Sequence, residues 1–350
     1  MVYNIAGKCT LLCWFNKNPD LTNKGLYLKV MMVKSFLDLD TQPLFVKCED
    51  MFGLPNFFLK IEGYNIAGSI KFKTANYIIN DLEGKEVITP GKSKIIESSS
   101  GNLGIALSII CKVKNYPFTC VTDPNINKTT EKVIKAYGAE IIKVTQKDEL
   151  GGYLNTRLRL IREMLEEDKQ LVWTNQYRNQ ANVDAHYQTT AKEILKEVGQ
   201  VDYLFIGSGT TGTLMGCAKY FRKHSPQTVI IAVEPVGSVT FGGESCPRHI
   251  PGIGTSSPPA ITDSSLVDQV IYISEEDTVS MCNRFMEITG AMVGGSTGSV
   301  LEAVSIKSKL IPKDSCCIAI CPDFGERYID TVYNTHWVES NIKDGQYEQI

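Results

Sequence analysis

From about residue 55 onward the chain alternates short, continuously apolar runs with amphipathic segments, and no other feature restricts its fold as strongly. Nine such runs stand out: FFLKI (57–61), SKIIES (93–98), FTCVTD (118–123), EIIKV (140–144), LVWTN (171–175), DYLFIG (202–207), VIIAVEP (229–235), VIYIS (270–274) and CCIAICP (316–322). A strand with one wet face alternates apolar and polar residues. A strand covered on both faces has no reason to, so continuous runs predict parallel strands beneath helices. The segments between them supply the helices: over Tyr153–Glu167, Leu154, Leu158, Ile161 and Leu165 recur at spacings of four, three and four. The chain therefore reads as α/β with mostly parallel sheets, and the number of strands favours two α/β domains over one barrel. Residues 1–35 fit neither pattern and read as an N-terminal extension.

At 350 residues the chain has room for two domains, on the usual size of roughly 100–200 residues each. A net charge of −3 gives no electrostatic case for nucleic acid or an anionic membrane. No apolar run approaches the ~18 residues that span a bilayer. The start, MVYNIAGKCTLLCWFNKN, lacks a basic n-region and a clean apolar h-region, so no signal peptide is expected and a cytoplasmic location is. The eleven cysteines are odd in number and scattered without a CxxC pair, and the four histidines do not cluster. Buried reduced thiols fit better than disulfides, and no metal site is expected.

Three Gly/Ser/Thr-rich loops carry the chemistry. In "GSGTTGT" (Gly207–Thr213), between a strand and a helix, backbone N–H groups, threonine hydroxyls and the positive end of the helix can close around a phosphate. An ordinary tight turn is the alternative; no lysine follows the last glycine, so this is not a Walker loop. "ESSSGNLGIALS" (Glu97–Ser108) opens a helix whose free N–H groups suit a carboxylate, with Asn102 able to donate and accept. Simple N-capping by a serine or by Asn102 explains the same residues. "GGSTGS" (Gly294–Ser299) precedes a helix expected over 300–310; Ser296 could point into a cleft, or the run could merely cap. Lys71 joins them. In "NIAGSIKFK" a Gly-Ser turn runs straight into this lysine at a helix start. An amine beside an anion cradle and two hydroxyl-lined turns fits a pyridoxal phosphate site, where it would condense with the aldehyde. A solvated surface lysine is the plain alternative.

Five motifs resemble one family. "AGSIK", "SSGNLG", "GTTGT", "GGSTG" and "TQPLF" (Thr41–Phe45) are similar, in order and rough spacing, to motifs of the cysteine synthase family, the fold-type II (tryptophan synthase β-like) pyridoxal phosphate enzymes; the likeness runs from about residue 36 to 333. The resemblance implies a two-domain fold, each domain a mostly parallel sheet flanked by helices: a smaller, mobile substrate-loop domain over 65–177 and a larger cofactor-binding domain from 36–64 and 178–340. It implies that Lys71 is the Schiff-base lysine and moves the proton at Cα, and that Asn102 bonds the cofactor's phenolic oxygen. Ser99, Ser100 and Gly101 would close on the substrate carboxylate. Gly209, Thr210, Thr211, Gly212 and Thr213 would hold the phosphate, and Ser296 would face the ring nitrogen. A hydroxyl there, unlike a carboxylate, does not keep the pyridine protonated, which favours β-replacement through an aminoacrylate.

The chain departs from the family in having Leu103 where cysteine synthases have threonine after the loop asparagine, and Phe72-Lys73 where they often have Asp-Arg. It looks closer to one branch, the N-(2-amino-2-carboxyethyl)-L-glutamate synthases of 2,3-diaminopropionate and staphyloferrin B-type siderophore biosynthesis. The shared stretches are "ESSSGNLGIAL", "GGYLNTR", "NQY", "PGIG", "GGSTGS" and "CPDFGERYIDTVY". That branch implies a C–N bond-forming transferase that joins O-phospho-L-serine to L-glutamate. Tyr153, Arg157, Arg178 and Arg327 are candidates for the leaving phosphate and the dicarboxylate, on charge and position, although each could equally be a surface or interdomain residue. The competing readings are a sulfhydrylase using sulfide and a catalytically silent partner protein. Relatives are commonly homodimers, so a homodimer is expected.

Overall fold

Each of the nine apolar runs contains a strand, and among the described residues a tenth strand joins them. The structure, a computed structural model, describes residues 35–39, 43–49, 51–148 and 152–343. The expected N-terminal extension, apart from Ser35, and Thr41 and Gln42 of the TQPLF motif lie outside the described residues. Phe36–Leu39 is a short 3-10 turn in a unit separate from Asp40–Ile350; the following concerns the second unit.

A six-stranded sheet contains β1 (Leu44–Lys47), β2 (Phe57–Ile61), β7 (Tyr203–Gly207), β8 (Val229–Pro235), β9 (Gln269–Ile273) and β10 (Cys317–Cys321) in the order β1-β2-β10-β7-β8-β9. A four-stranded sheet contains β3 (Lys94–Ser98), β4 (Phe118–Thr122), β5 (Glu140–Lys143) and β6 (Leu171–Trp173) in the order β5-β4-β3-β6. Every pairing is parallel except that of β1 with β2, whose register sets Leu44 opposite Ile61. β1 is the strand that apolar runs did not predict. It is an edge strand whose residues are exposed or half-buried, so it lacks the two-faced burial that makes a run continuous.

The runs in the central strands have the predicted cause, whereas the edge strands β5 and β9 are covered only in part. Along β7, Leu204 and Ile206 enter one core while Phe205 enters the other; along β10, Ile318 and Ile320 oppose Cys317, Ala319 and Cys321. One core packs the sheet against α7 (Gly212–His224) through Leu214, Met215 and Phe221. The other packs it against α8 (Glu275–Thr289) and α9 (Gly295–Ser308) through Phe285, Val300 and Val304. Each fully buried Phe or Ile side chain contributes about 1.5–3 kcal/mol. The four-stranded sheet rests Ile96 and Val121 against Ile161 of α4 (Leu154–Glu167), one of the positions in the predicted four-three-four stripe.

Further helices are α1 (Lys71–Gly84), α2 (Asn102–Lys114), α3 (Lys128–Ala136), α5 (Gln180–His186) and α6 (Lys192–Val198). α1 packs on both α2 and α5. Its start is fastened by charge. Lys60 on β2 and Lys73 on α1 each reach Glu62 and Glu193, at 2.7 to 3.0 Å, with both lysines and Glu62 nearly buried. Burial pushes the Glu62 carboxyl up, but Lys73 and Lys60 outweigh it and hold it at about 2. Lys73 is thus a member of this cluster.

Candidate active site

Lys71 is the first residue of α1, and the turn before it aims the chain. The Asn65 carboxamide pins that turn: its oxygen accepts from the Ala67 and Ser69 N–H groups, and its nitrogen donates to the Glu62 and Ser69 carbonyls at 3.0 Å. The half-buried Lys71 amine then lies 3.5 Å from Thr210 Oγ1, within the phosphate-loop motif. Burial pulls its pKa down to about 8, against the opposing charge of Glu97. A lysine so lowered reaches the neutral, nucleophilic form far more readily than a surface one.

The loop beside it is built to take an anion. Thr211 is left-handed, with φ 64, and the next residue opens α7. A β-branched residue adopts this conformation only when its surroundings impose it. A left-handed residue followed by right-handed helix turns successive N–H groups into one concavity at the positive end of the helix dipole. The glycines let the walls approach: a Cβ on Gly209 would lie 3.1 Å from the Gly252 carbonyl oxygen, and one on Gly212 would overlap the Asn182 carboxamide.

Behind the loop lies a buried polar layer. Asn182 donates to Thr210 Oγ1 at 3.2 Å and to the Gln176 carbonyl at 2.8 Å, and accepts from Thr74 at 3.1 Å. His186 bonds Thr74 and Thr190, and meets Thr213 at 3.3 Å. Burial, opposed by Glu62 and reinforced by Lys71, pulls its pKa down to about 3, so the imidazole is neutral. A π-helical turn, Tyr187–Ala191, follows and carries Thr190. The sequence reading missed Asn182 and His186. Their signal was present: spaced by four, they share one face of α5.

In the second loop the serine hydroxyls are engaged. Ser99 Oγ accepts from the Gly101 and Gly104 N–H groups at 3.3 and 3.0 Å, which takes up one donor of the helix's first turn from outside the helix, whose N-cap is Gly101. Ser100 Oγ donates to Asp123 at 2.9 Å and accepts from Arg157 and Thr122 at 2.8 and 3.0 Å. Gly101 faces open space: a Cβ there would meet nothing within 4 Å. Beneath the loop the buried Glu97 carboxylate accepts from Thr174, Trp173 and the N–H groups of Ser98 and Gln176. Asn102, first residue of α2, donates to Asp323 Oδ2 at 2.7 Å and accepts from Arg327.

The third motif requires a correction. Its helix begins at Gly295 and not at residue 300, so "GSTGS" is its first turn. Small residues are required because the helix lies against side chains: a Cβ on Gly295 would overlap Ile250, and one on Gly298 would overlap Cys282. Ser296 is nearly buried, and its carbonyl oxygen lies 3.7 Å from where a Cβ of Gly207 would stand, which brings α9 to the phosphate loop. Of the four further candidates, Tyr153 caps α4 one turn before Arg157, Arg157 pairs with Asp123 at 3.3 Å, and Arg327 reaches Asn102. Arg178 is exposed.

A phosphate ester that bears an aldehyde fits this arrangement, since a lowered-pKa amine and an N–H concavity lie side by side. Among the described residues no group of histidines, cysteines and carboxylates could hold a metal, and no helix is long and apolar enough to cross a membrane.

The comparisons point the same way. The chain matches the pyridoxal-phosphate dependent enzyme family over residues 40–323. It is 41% identical over 282 residues to the N-(2-amino-2-carboxyethyl)-L-glutamate synthase of Ralstonia nicotianae, covering 80% of this chain and 83% of that one. It is 41% identical over 285 residues to the enzyme of the same name from Cupriavidus metallidurans, with the same coverage. Its fold superimposes on a hydrogen sulfide-producing enzyme from Fusobacterium nucleatum with a TM-score of 0.79 at 32% identity, covering 85% of this chain and 100% of that one.

Proposed function

Because the chain belongs to the pyridoxal-phosphate dependent enzyme family, we propose that it joins O-phospho-L-serine to L-glutamate, giving N-(2-amino-2-carboxyethyl)-L-glutamate and phosphate. The observation that carries this reading is the 41% identity, over most of both chains, to two enzymes bearing that product's name. The reaction class is a C–N bond-forming transfer: the bond from Cβ to the phosphate oxygen breaks, phosphate leaves with its electrons, and the glutamate nitrogen takes its place and loses a proton.

Pyridoxal phosphate, when bound, supplies the electron withdrawal that loosens the bonds to the amino acid's Cα. Lys71 Nζ would hold its aldehyde carbon and, once released, take and return the proton at Cα. The N–H concavity of Gly209, Thr210, Thr211, Gly212 and Thr213 would hold its phosphate, in support of which stands the left-handed Thr211 at the start of α7. Ser296 would meet the ring nitrogen as a neutral hydroxyl, and Asn102 the phenolic oxygen. For the substrate carboxylate, the free N–H groups at the start of α2 and the open space at Gly101 support the loop Ser99–Gly101. Ser100 would then act through its backbone N–H, because its hydroxyl already has partners, whereas Ser99, whose N–H donates to the Val121 carbonyl and whose hydroxyl is engaged, would shape the loop. Tyr153 and Arg157 would flank that loop. Residues 65–177 would form the smaller domain that closes on residues 36–64 and 178–340 and shuts out water, and two copies would form a homodimer.

The test is turnover by purified protein. Phosphate and N-(2-amino-2-carboxyethyl)-L-glutamate should form together from O-phospho-L-serine and L-glutamate, and neither should form with Lys71→Ala. Sulfide consumption with O-acetyl-L-serine, and no reaction with glutamate, would replace this reading by the sulfhydrylase one. Cofactor binding with no turnover on either pair would favour a silent partner protein.

A further inference from the structure

Asn102 belongs to the small sheet's substrate loop, yet both groups that hold its carboxamide come from the chain after β10. Asp323 Oδ2 accepts from the amide nitrogen at 2.7 Å, and the Arg327 guanidinium donates to the amide oxygen. A carboxylate on one end and a guanidinium on the other leave a single orientation. Turning the amide over would set its oxygen against Asp323 and its N–H groups against Arg327, losing two charge-assisted hydrogen bonds and facing like with like.

Both holding groups are themselves held. Tyr328 donates to the same Asp323 oxygen at 2.5 Å. Arg327 donates to the Ala67 carbonyl at 2.5 Å, and its own carbonyl accepts from Asn127 at 3.1 Å. The glycines confirm that these positions are built. A Cβ on Gly68 would lie 2.7 Å from the Arg327 guanidinium, and one on Gly294 would overlap the Asp323 carboxylate. Gly68 is in the turn before Lys71 and Gly294 caps the helix of Ser296. One carboxylate–guanidinium pair therefore touches three of the four segments that carry the site residues.

We propose that Asp323 and Arg327 are positioning residues that fix the Asn102 carboxamide with its oxygen on the guanidinium, so that it meets the cofactor's phenolic oxygen as a hydrogen-bond donor. A donor there stabilises the ionised phenolic oxygen, whereas an amide turned over would present a lone pair to it. The inference rests on the role given to Asn102 above and is independent of which amino acids are joined.

The experiment uses the full chain, freed of cofactor and reloaded with pyridoxal phosphate. Two readouts other than turnover are taken: the cofactor dissociation constant and the ratio of its yellow band to its near-ultraviolet band. Asn102→Ala, Asp323→Ala and Arg327→Met should each lower the yellow fraction and weaken binding by about tenfold. Asn102→Ala combined with Asp323→Ala should be no worse than Asn102→Ala alone, because Asp323 acts through the amide. Asp323→Asn, which keeps an accepting oxygen, should recover most of the yellow fraction. Should Asp323→Ala fail to fold, Arg327→Met carries the same comparison. If Asn102→Ala changes both readouts while folded Asp323→Ala and Arg327→Met leave them at wild-type values, the positioning role is overturned and the role of Asn102 stands. Losses that add in the double variant would overturn it equally. An Asn102→Ala protein with wild-type readouts would remove the premise, and this inference with it.

Discussion

The Lys73 amine lies 2.9 Å from the Glu62 carboxylate, and the two side chains keep only 5% and 2% of their surface in water. Lys60 and Glu193 complete the group, so the strand before Lys71 and the helix after it are joined by buried charge. Each carboxylate answers both ammonium groups, which is the condition under which burial of charge is tolerated.

Removing one carboxylate should therefore be costly. Glu62→Gln takes a carboxylate away from both buried ammonium groups and should destabilise the protein by about 3 kcal/mol, read from the urea midpoint at pH 7. The same group predicts a pH dependence. Its folded pKa, about 2, lies below its ordinary 4.5, so its stabilisation is complete above about pH 4.5 and is lost as pH falls toward 2. Over that window wild type should lose stability faster than Glu62→Gln; parallel curves would mean that Glu62 does not titrate there.

The Lys71 amine is held down to about 8 by burial, and Glu97 opposes the shift. Capture of pyridoxal phosphate by the cofactor-free protein should accelerate as pH rises through about 8, where the amine becomes neutral. Glu97→Gln removes the charge that favours the ammonium form, so its rate profile should move to lower pH. A profile with a midpoint near 10.5, the ordinary lysine value, would show a solvated amine.

Thr211 pairs its left-handed backbone with a hydroxyl contact to Thr262 at 2.9 Å. In Thr211→Gly the conformational penalty of roughly 1–2 kcal/mol disappears, while the backbone N–H groups stay where they are. Cofactor affinity should hold within about threefold and the cofactor-free protein should melt no lower than wild type. A large loss of affinity would mean that the side chain, not the backbone, holds the phosphate.

Gly212 has the opposite requirement. A methyl group there overlaps the Asn182 carboxamide, which must move and release Thr210. Gly212→Ala should weaken cofactor binding by about tenfold or more, on an overpacking cost of roughly 1–3 kcal/mol. Unchanged affinity, measured by fluorescence titration, would show that Asn182 does not support the loop.

Much of this was legible along the chain because it is local. A continuous apolar run reports a strand, and in the central strands one covered on both faces, whichever helices cover it. A Gly/Thr turn between strand and helix reports exposed N–H groups, since helix ends always leave them. Lys71, the order of the three glycine-rich motifs and nine of the ten strands among the described residues follow from such segments taken one at a time. What the local pattern could not settle is which polar atoms are already engaged. That depends on partners far away: Thr210 lies 139 residues from Lys71, and Asp323 lies 221 residues from Asn102. Packing alone decided that the Ser99 hydroxyl takes the Gly104 N–H, that α9 starts at Gly295 against Ile250, and that Asn182 and His186 back the phosphate loop. A hydrogen bond is made where two chains of contacts meet in space, and the periodicity of either one carries no record of the other.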